Sequence, residues 1–239
     1  THNFVRGVPV WATLIALVPF FCACWGVDGN GKRVEEERRL DSFSAVESRD
    51  GLAVLVERGE TFRVVVSIDE NLIDDVDTEV VDGTLRIETD VPFDDYVSGP
   101  HVRVTLPRLS SIKLAGSGDL DAFGFTESGP VRLQLSGSGG LRFDGSAPRL
   151  SASLDGSGEL QLSGTTSDLD IDLHGSGDVD ARDCTASTAK LALDGSGDLT
   201  ATVNGPVSAS LRGSGDINIF GAPTLTDSSE RGSGDIHVR

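Results

Sequence analysis

Leu150-Ser151-Ala152-Ser153-Leu154-Asp155-Gly156-Ser157-Gly158-Glu159-Leu160-Gln161-Leu162 is the stretch on which the fold turns. Apolar and polar residues alternate on both sides of Gly-Ser-Gly, which is the period of a strand with one buried face. Leu150, Ala152, Leu154, Gly156, Gly158, Leu160 and Leu162 share one parity, so the two glycines fall on the inward side of a bend between two short strands. Glycine suits a corner with no room for a Cβ and with backbone angles that other residues avoid.

The same unit recurs at Gly116-Ser117-Gly118, Gly137-Ser138-Gly139, Gly175-Ser176-Gly177, Gly195-Ser196-Gly197, Gly213-Ser214-Gly215 and Gly232-Ser233-Gly234, at steps of 18 to 21 residues. A fixed period of about 20 residues marks a solenoid, in which no coil can bury its apolar face alone and stacking supplies the core. The fold expected is all-β: a single-domain β-solenoid with coils of about 19 residues and two short strands per coil. Length variation falls at the opposite bend, as in Asp144-Gly145-Ser146-Ala147-Pro148 and Asp183-Cys184-Thr185-Ala186-Ser187, where turn formers cluster.

The chain of 239 residues carries 38 acidic against 20 basic residues, a net charge of −18. That excludes nucleic acid, whose phosphates require Lys and Arg, and docking on anionic lipid through a basic patch. Val8 to Trp25 is apolar except for Thr13 and follows Arg6, the layout of an export signal. Phe21-Cys22-Ala23-Cys24 resembles a bacterial lipobox with Cys24 as the lipidated residue, although Phe21 and Cys22 depart from its usual residues. Ordinary cleavage and an uncleaved single-span anchor are the alternatives, and all three readings export the chain. The division expected is therefore 1–24 as signal or membrane anchor, 25–39 as polar tether, and 40–239 as the β domain. Cys184 remains as a lone thiol in a variable bend, so no disulfide holds the domain. Gly26 to Lys32 superficially fits a phosphate-binding loop, but Arg33 stands where Ser or Thr would hold magnesium and no strand–helix context follows, so nucleotide is excluded.

Residues 40–110 stay β without the glycine punctuation. Leu52–Val56, Phe62–Val66, Thr84–Glu88 and His101–Leu106 read as strands, with a hairpin turn at Arg58-Gly59-Glu60. They are expected to form irregular coils capping the repeats of 111–239; a separate small sandwich is the alternative. The acidic group Asp69, Glu70, Asp74, Asp75 and Asp77 reads as a solvated loop, with a second cation site as the alternative.

The order of features resembles the bacterial head GIN domain family of auto-transporter adhesins. The residues that carry this are Leu40-Asp41-Ser42-Phe43-Ser44-Ala45-Val46, Ala53 to Gly59, Gly83-Thr84-Leu85-Arg86-Ile87, Val102 to Pro107 and the Gly-Ser-Gly-Asp repeats. The resemblance implies an exported, often lipid-anchored solenoid and carries over no catalytic residues.

After the corner comes an acidic column: Asp119, Glu159, Asp178, Asp198, Asp216 and Asp235, interrupted by Gly140. In-register stacking brings these carboxylates near one another, and repulsion then needs relief. Calcium is the natural hard cation for exported carboxylates, yet the spacing does not reproduce known calcium-roll repeats, and capping of bend amides by Asp and Ser is the plainer alternative. A motif repeated seven times answers a structural need, whereas a catalytic site is one constellation. His101, His174 and His237 show no metal-ligand spacing. The expectation is a non-enzymatic envelope protein without a cofactor, an adhesin or surface module presenting an acidic, Ser-rich face to glycan or protein. The alternatives are an accessory module with no ligand and a polysaccharide-acting enzyme. The location expected is the cell envelope, as an outer-membrane lipoprotein facing the periplasm or the cell surface.

Overall fold

The computed structural model describes residues 27–89 and 101–239. The expected signal segment and Cys24 lie outside the described residues. Before the repeats come β1 (Arg33–Arg38), β2 (Ala45–Asp50), β3 (Ala53–Arg58), β4 (Arg63–Asp69), a 3₁₀ turn at Glu70–Asp75, β5 (Val76–Val81), β6 (Thr84–Thr89) and β7 (His101–Leu106). The repeats form β8 (Ser111–Gly116), β9 (Asp119–Thr126), β10 (Val131–Gly137), β11 (Gly140–Gly156), β12 (Glu159–Gly175) and β13 (Asp178–Gly195). They continue through β14 (Leu199–Val203), β15 (Pro206–Gly213), β16 (Ile217–Gly221), β17 (Thr224–Gly232) and β18 (Ile236–Val238).

The repeat strands pair in parallel and in register, coil upon coil: Leu135 on Leu154, Leu154 on Leu173, Leu173 on Leu193 and Leu193 on Leu211. One face of the solenoid runs β8, β10, then the second halves of β11 to β13, then β15 and β17. The other runs β9, the first halves of β11 to β13, then β14, β16 and β18. The apolar parity read from the sequence lines the space between them, one buried cluster extending from Phe43 to Ile219. Pairing slips near the bend opposite the Gly-Ser-Gly corner, at Asp144/Gly145, Gln161/Ser163 and Ala181/Thr185, so bulges there absorb the differences in coil length.

The corner explains both glycines, though not quite as the parity suggests. The first glycines have φ between 122° and 156°, the region that L side chains rarely adopt. The second need no special φ. A Cβ on Gly177 would overlap the carbonyl oxygen of Gly158 and lie 2.9 Å from Leu154 Cδ2 and 3.0 Å from Gly158 N. The space it lacks is taken by the backbone of the preceding coil. That closeness is set by hydrogen bonds along the stack: Ser176 N–H and Gly177 N–H both donate to the Gly156 carbonyl, at 2.9 and 3.0 Å.

The strands before the repeats belong to the same sheet and core, and their stacking departs from chain order. β2 and β3 form a coil whose corner is Asp50-Gly51-Leu52: Ser117 N–H and Gly118 N–H donate to the Asp50 carbonyl as their counterparts do to glycine carbonyls above. Asp50 accordingly takes φ 72°, and its side chain accepts the Thr89 N–H at 3.1 Å. This coil is sandwiched, with β6 and β7 on one side and β8 and β9 on the other, all in parallel. Glu47 pins the sandwich from outside, contacting Arg86 of β6 at 3.8 Å and Lys113 of β8 at 2.9 Å, as well as Arg49 on its own strand at 3.1 Å. Burial of Glu47 pushes its pKa up, but the hydrogen bonds and charges of Lys113 and Arg49 outweigh it, and the carboxyl is held below its ordinary value.

Three expectations need correction. The hairpin at Arg58-Gly59-Glu60 does not form: β7 lies between the two strands, pairing parallel with β3 and antiparallel with β4. Residues 25–39 are not wholly a tether, because β1 pairs antiparallel along β4. The free N–H and C=O groups of β4 require partners, and the charged side chains of β1 make it a soluble edge. The acidic loop is not wholly solvated either: Asp69 is buried at the end of β4 and accepts the Gly31 N–H at 3.0 Å.

Candidate functional site

The Gly-Ser-Gly corner and the face that follows it carry the repeated outward chemistry. Beside the two glycine columns runs an exposed serine column, in which Ser214 Oγ lies 3.1 Å from Ser196 Oγ. Next comes the acidic column, in register through Asp119, Gly140, Glu159 and Asp178. A second outward column contains Asp121, Arg142, Gln161 and Asp180, then Thr200, Asn218 and His237.

The carboxylates of the acidic column have a structural task. Asp178 Oδ1 accepts the Asp198 N–H at 2.8 Å, Asp198 Oδ1 the Asp216 N–H at 2.9 Å, and Asp216 Oδ1 the Asp235 N–H at 2.9 Å. Asp119 does the same for Gly140 N–H at 3.1 Å. Each aspartate thus satisfies an amide one coil further on, a local side-chain-to-backbone bond that explains why the residue recurs. Glu159 is too long for that bond and instead accepts from Gln161 Nε2 on its own strand.

Among the described residues, one group of three metal-capable side chains has its ligand atoms within 4.8 Å of one another: Asp216, Asp235 and His237. His237 Nε2 stands 3.9 Å from Asp216 Oδ2. Histidine spacing alone did not reveal this, because the ligands come from neighbouring coils. Asp119, Glu159, Asp178 and Asp198 enter no such group among the described residues.

Elsewhere, perturbed groups have structural causes. Cys184 is fully buried at the opposite bend, and desolvation pushes its thiol up to about 11. On the opposite outer face, Asp168 is held below its ordinary value by hydrogen bonds from Thr188 and Arg149. Two shallow polar depressions mark the corner face. One, of about 390 Å³, runs across four coils and is lined by Ser138, Ser157 and Ser176 with Asp119, Glu159 and Asp178. The other, of about 300 Å³, lies beside Gly140. No described helix is long and apolar enough to cross a membrane.

A parallel two-faced β-solenoid with a regular polar corner is the class that fold and site define. Residues 42–223 match the family model described as "Putative auto-transporter adhesin, head GIN domain", and the chain belongs to that family. Solved structures share the fold. A "putative adhesin" from Bacteroides fragilis NCTC 9343 superposes with TM-score 0.77 at 20% identity, over 90% of this chain and 100% of that one. A "putative adhesin" from Parabacteroides merdae ATCC 43184 gives 0.67 at 21%, over 89% and 98%. A "putative lipid binding protein" from Parabacteroides distasonis ATCC 8503 gives 0.65 at 23%, over 89% and 99%. No curated protein gives a match.

Proposed function

We propose that this chain is a non-enzymatic adhesion module of the cell envelope that holds an extended glycan along the Gly-Ser-Gly corner. The observation that carries the reading is the corner itself. Coil after coil presents a serine hydroxyl and a carboxylate beside bare glycine backbone, and the depression they line continues across four coils. A polymer with repeating hydroxyls meets the same donors and acceptors at each step, which is how solenoids bind extended ligands. Family membership supports adhesion. Export through residues 1–24, with a lipid on Cys24, would place the module on the envelope.

The test is binding of the full chain, in mild detergent, to arrays of envelope glycans and matrix proteins, in calcium and in chelator. Saturable glycan binding in both conditions supports the reading. Glycan binding lost in chelator assigns a cation role to Asp216, Asp235 and His237, whose ligand atoms lie within 4.8 Å of one another. Binding only to protein replaces glycan with a protein partner, and no binding in either condition overturns adhesion in favour of an accessory module.

A further inference from the structure

We infer that the one interruption of the acidic column, at Gly140, is a seat for a single sugar ring of that glycan. The inference rests on the glycan reading above and names where on the corner face the specific contact is made.

Repetition of an aspartate is explained by the amide it caps, so a departure from the repeat calls for a separate cause. Gly140 leaves a gap in the column. Around it lies the depression of about 300 Å³ lined by Asp119, Asp121, Leu141, Arg142, Glu159 and Gln161. The backbone does not demand glycine here: Gly140 has no positive φ, and an added Cβ would meet only the side chain of Asp119, with Oδ1 at 2.8 Å. That carboxylate is the far end of a rotatable side chain and can turn away. Other coils carry Asp or Glu at this place, so an acidic residue is compatible with the coil.

The lining has an unusual balance. Arg142 is the one Lys or Arg among the lining residues, and three carboxylates surround the gap. Its guanidinium nevertheless forms no ion pair among the described residues: Nε donates to Gln161 Oε1 at 2.9 Å, and the terminal nitrogens have no partner. Gln161 in turn donates to Glu159. The gap therefore offers free donors on one side and free carboxylate oxygens on the other, held apart instead of neutralising one another. A bare divalent cation does not fit this set, because the carboxylates do not converge to ligand distance and a guanidinium stands among them. A neutral ligand dense in hydroxyls does fit, since each hydroxyl both donates to a carboxylate and accepts from the guanidinium. The volume suits one ring.

The experiment is ligand-observed saturation-transfer NMR on the full chain in mild detergent, with glucose, galactose and N-acetylglucosamine as probes and calcium as a separate arm. The wild-type chain is expected to give signal with at least one sugar. Gly140→Asp, which fills the gap with the residue of the other coils, and Arg142→Gln, which removes the charge and leaves a shorter amide in place of the guanidinium fork, are each expected to cut it at least fivefold. Lys190→Gln, exposed on the second half of β13 and so on the other face of the solenoid, is expected to leave it unchanged, and circular dichroism checks that the variants are folded. Sugar signal that survives both Gly140→Asp and Arg142→Gln overturns the seat while leaving glycan binding by the strip intact. No sugar signal in the wild type overturns the seat, and if the envelope glycans also fail to bind, the glycan reading falls with it. Competition of calcium for the sugar signal would replace the sugar with a cation at Gly140.

Discussion

Adding one methyl group to Gly177 tests the account of the corner most directly. In Gly177→Ala the new Cβ overlaps the Gly158 carbonyl and crowds Leu154. Leu154 can adjust; the carbonyl belongs to backbone held in the stack. Relief requires the coils to part locally, which loosens three bonds: Ser176 N–H and Gly177 N–H to Gly156 O, and Asp178 N–H to Gly158 O at 3.1 Å. At about 0.5–1.5 kcal/mol net for each bond, the cost is roughly 2–4 kcal/mol, within the upper range for overpacking. For a domain of this size that corresponds to a fall in Tm of roughly 4–16 °C. Ser176→Ala is the control. Its side chain is exposed and makes no hydrogen bond, so its effect should stay within about 0.5 kcal/mol. Thermal unfolding followed by circular dichroism measures both. If the two variants melt within about 2 °C of each other, coil-to-coil contact is not what selects glycine.

Glu47→Gln should destabilise the fold by about 1–2 kcal/mol at pH 7, because Lys113 and Arg86 lose the charge that ties their coils together. The folded carboxyl lies below its ordinary value, so its contribution is full above the unfolded pKa and fades as pH falls through the depressed folded one; urea melts of both proteins should converge in acid, and a gap that persists there would contradict the assignment. Asp198→Asn should be nearly neutral, since an amide oxygen can still accept the Asp216 N–H, whereas Asp198→Ala should cost about 1 kcal/mol. Equal costs in denaturant titrations would mean that the ladder bond is not the reason for the aspartate. Alkylation of Cys184, followed by mass spectrometry of its peptide, should be at least about 100-fold slower in native protein than in urea, because burial both raises the thiol and shields it; fast native labelling would show that the opposite bend opens readily.

The repeats were legible because two periods coincide in them: alternation within a strand and a Gly-Ser-Gly mark once per coil. Leu150 to Leu162 carries both, and its parity set the core facing correctly. The coil of β2 and β3 hid because Asp50-Gly51-Leu52 does the work of Gly-Ser-Gly with different residues. Nothing local announces that Asp50 will take a left-handed conformation. Arg58-Gly59-Glu60 looked like a hairpin because turn chemistry is local, whereas the strand that separates β3 from β4 arrives some forty residues later. At the site, the acidic column was plain from spacing alone, but its amide-capping role was visible only as one of two alternatives. Whether a carboxylate meets an amide, an ion or water is decided by coil-to-coil distances. The same holds for His237, which meets Asp216 only across coils.

The sandwiched position of β2 and β3 gives the molecule a direction of growth. As the chain emerges N-terminus first, this coil is complete before any other and has two open sides. One side waits for β6 and β7, which bring β4, β5 and charged β1 as a terminus that accepts no further coil. The other is taken by β8 and β9, after which every new coil adds at a single advancing front. If the coils close in the order of synthesis, the first one made acts as a seed, not an end, with elongation running one way from it. A chain interrupted partway would leave a shorter solenoid with its starting end already closed.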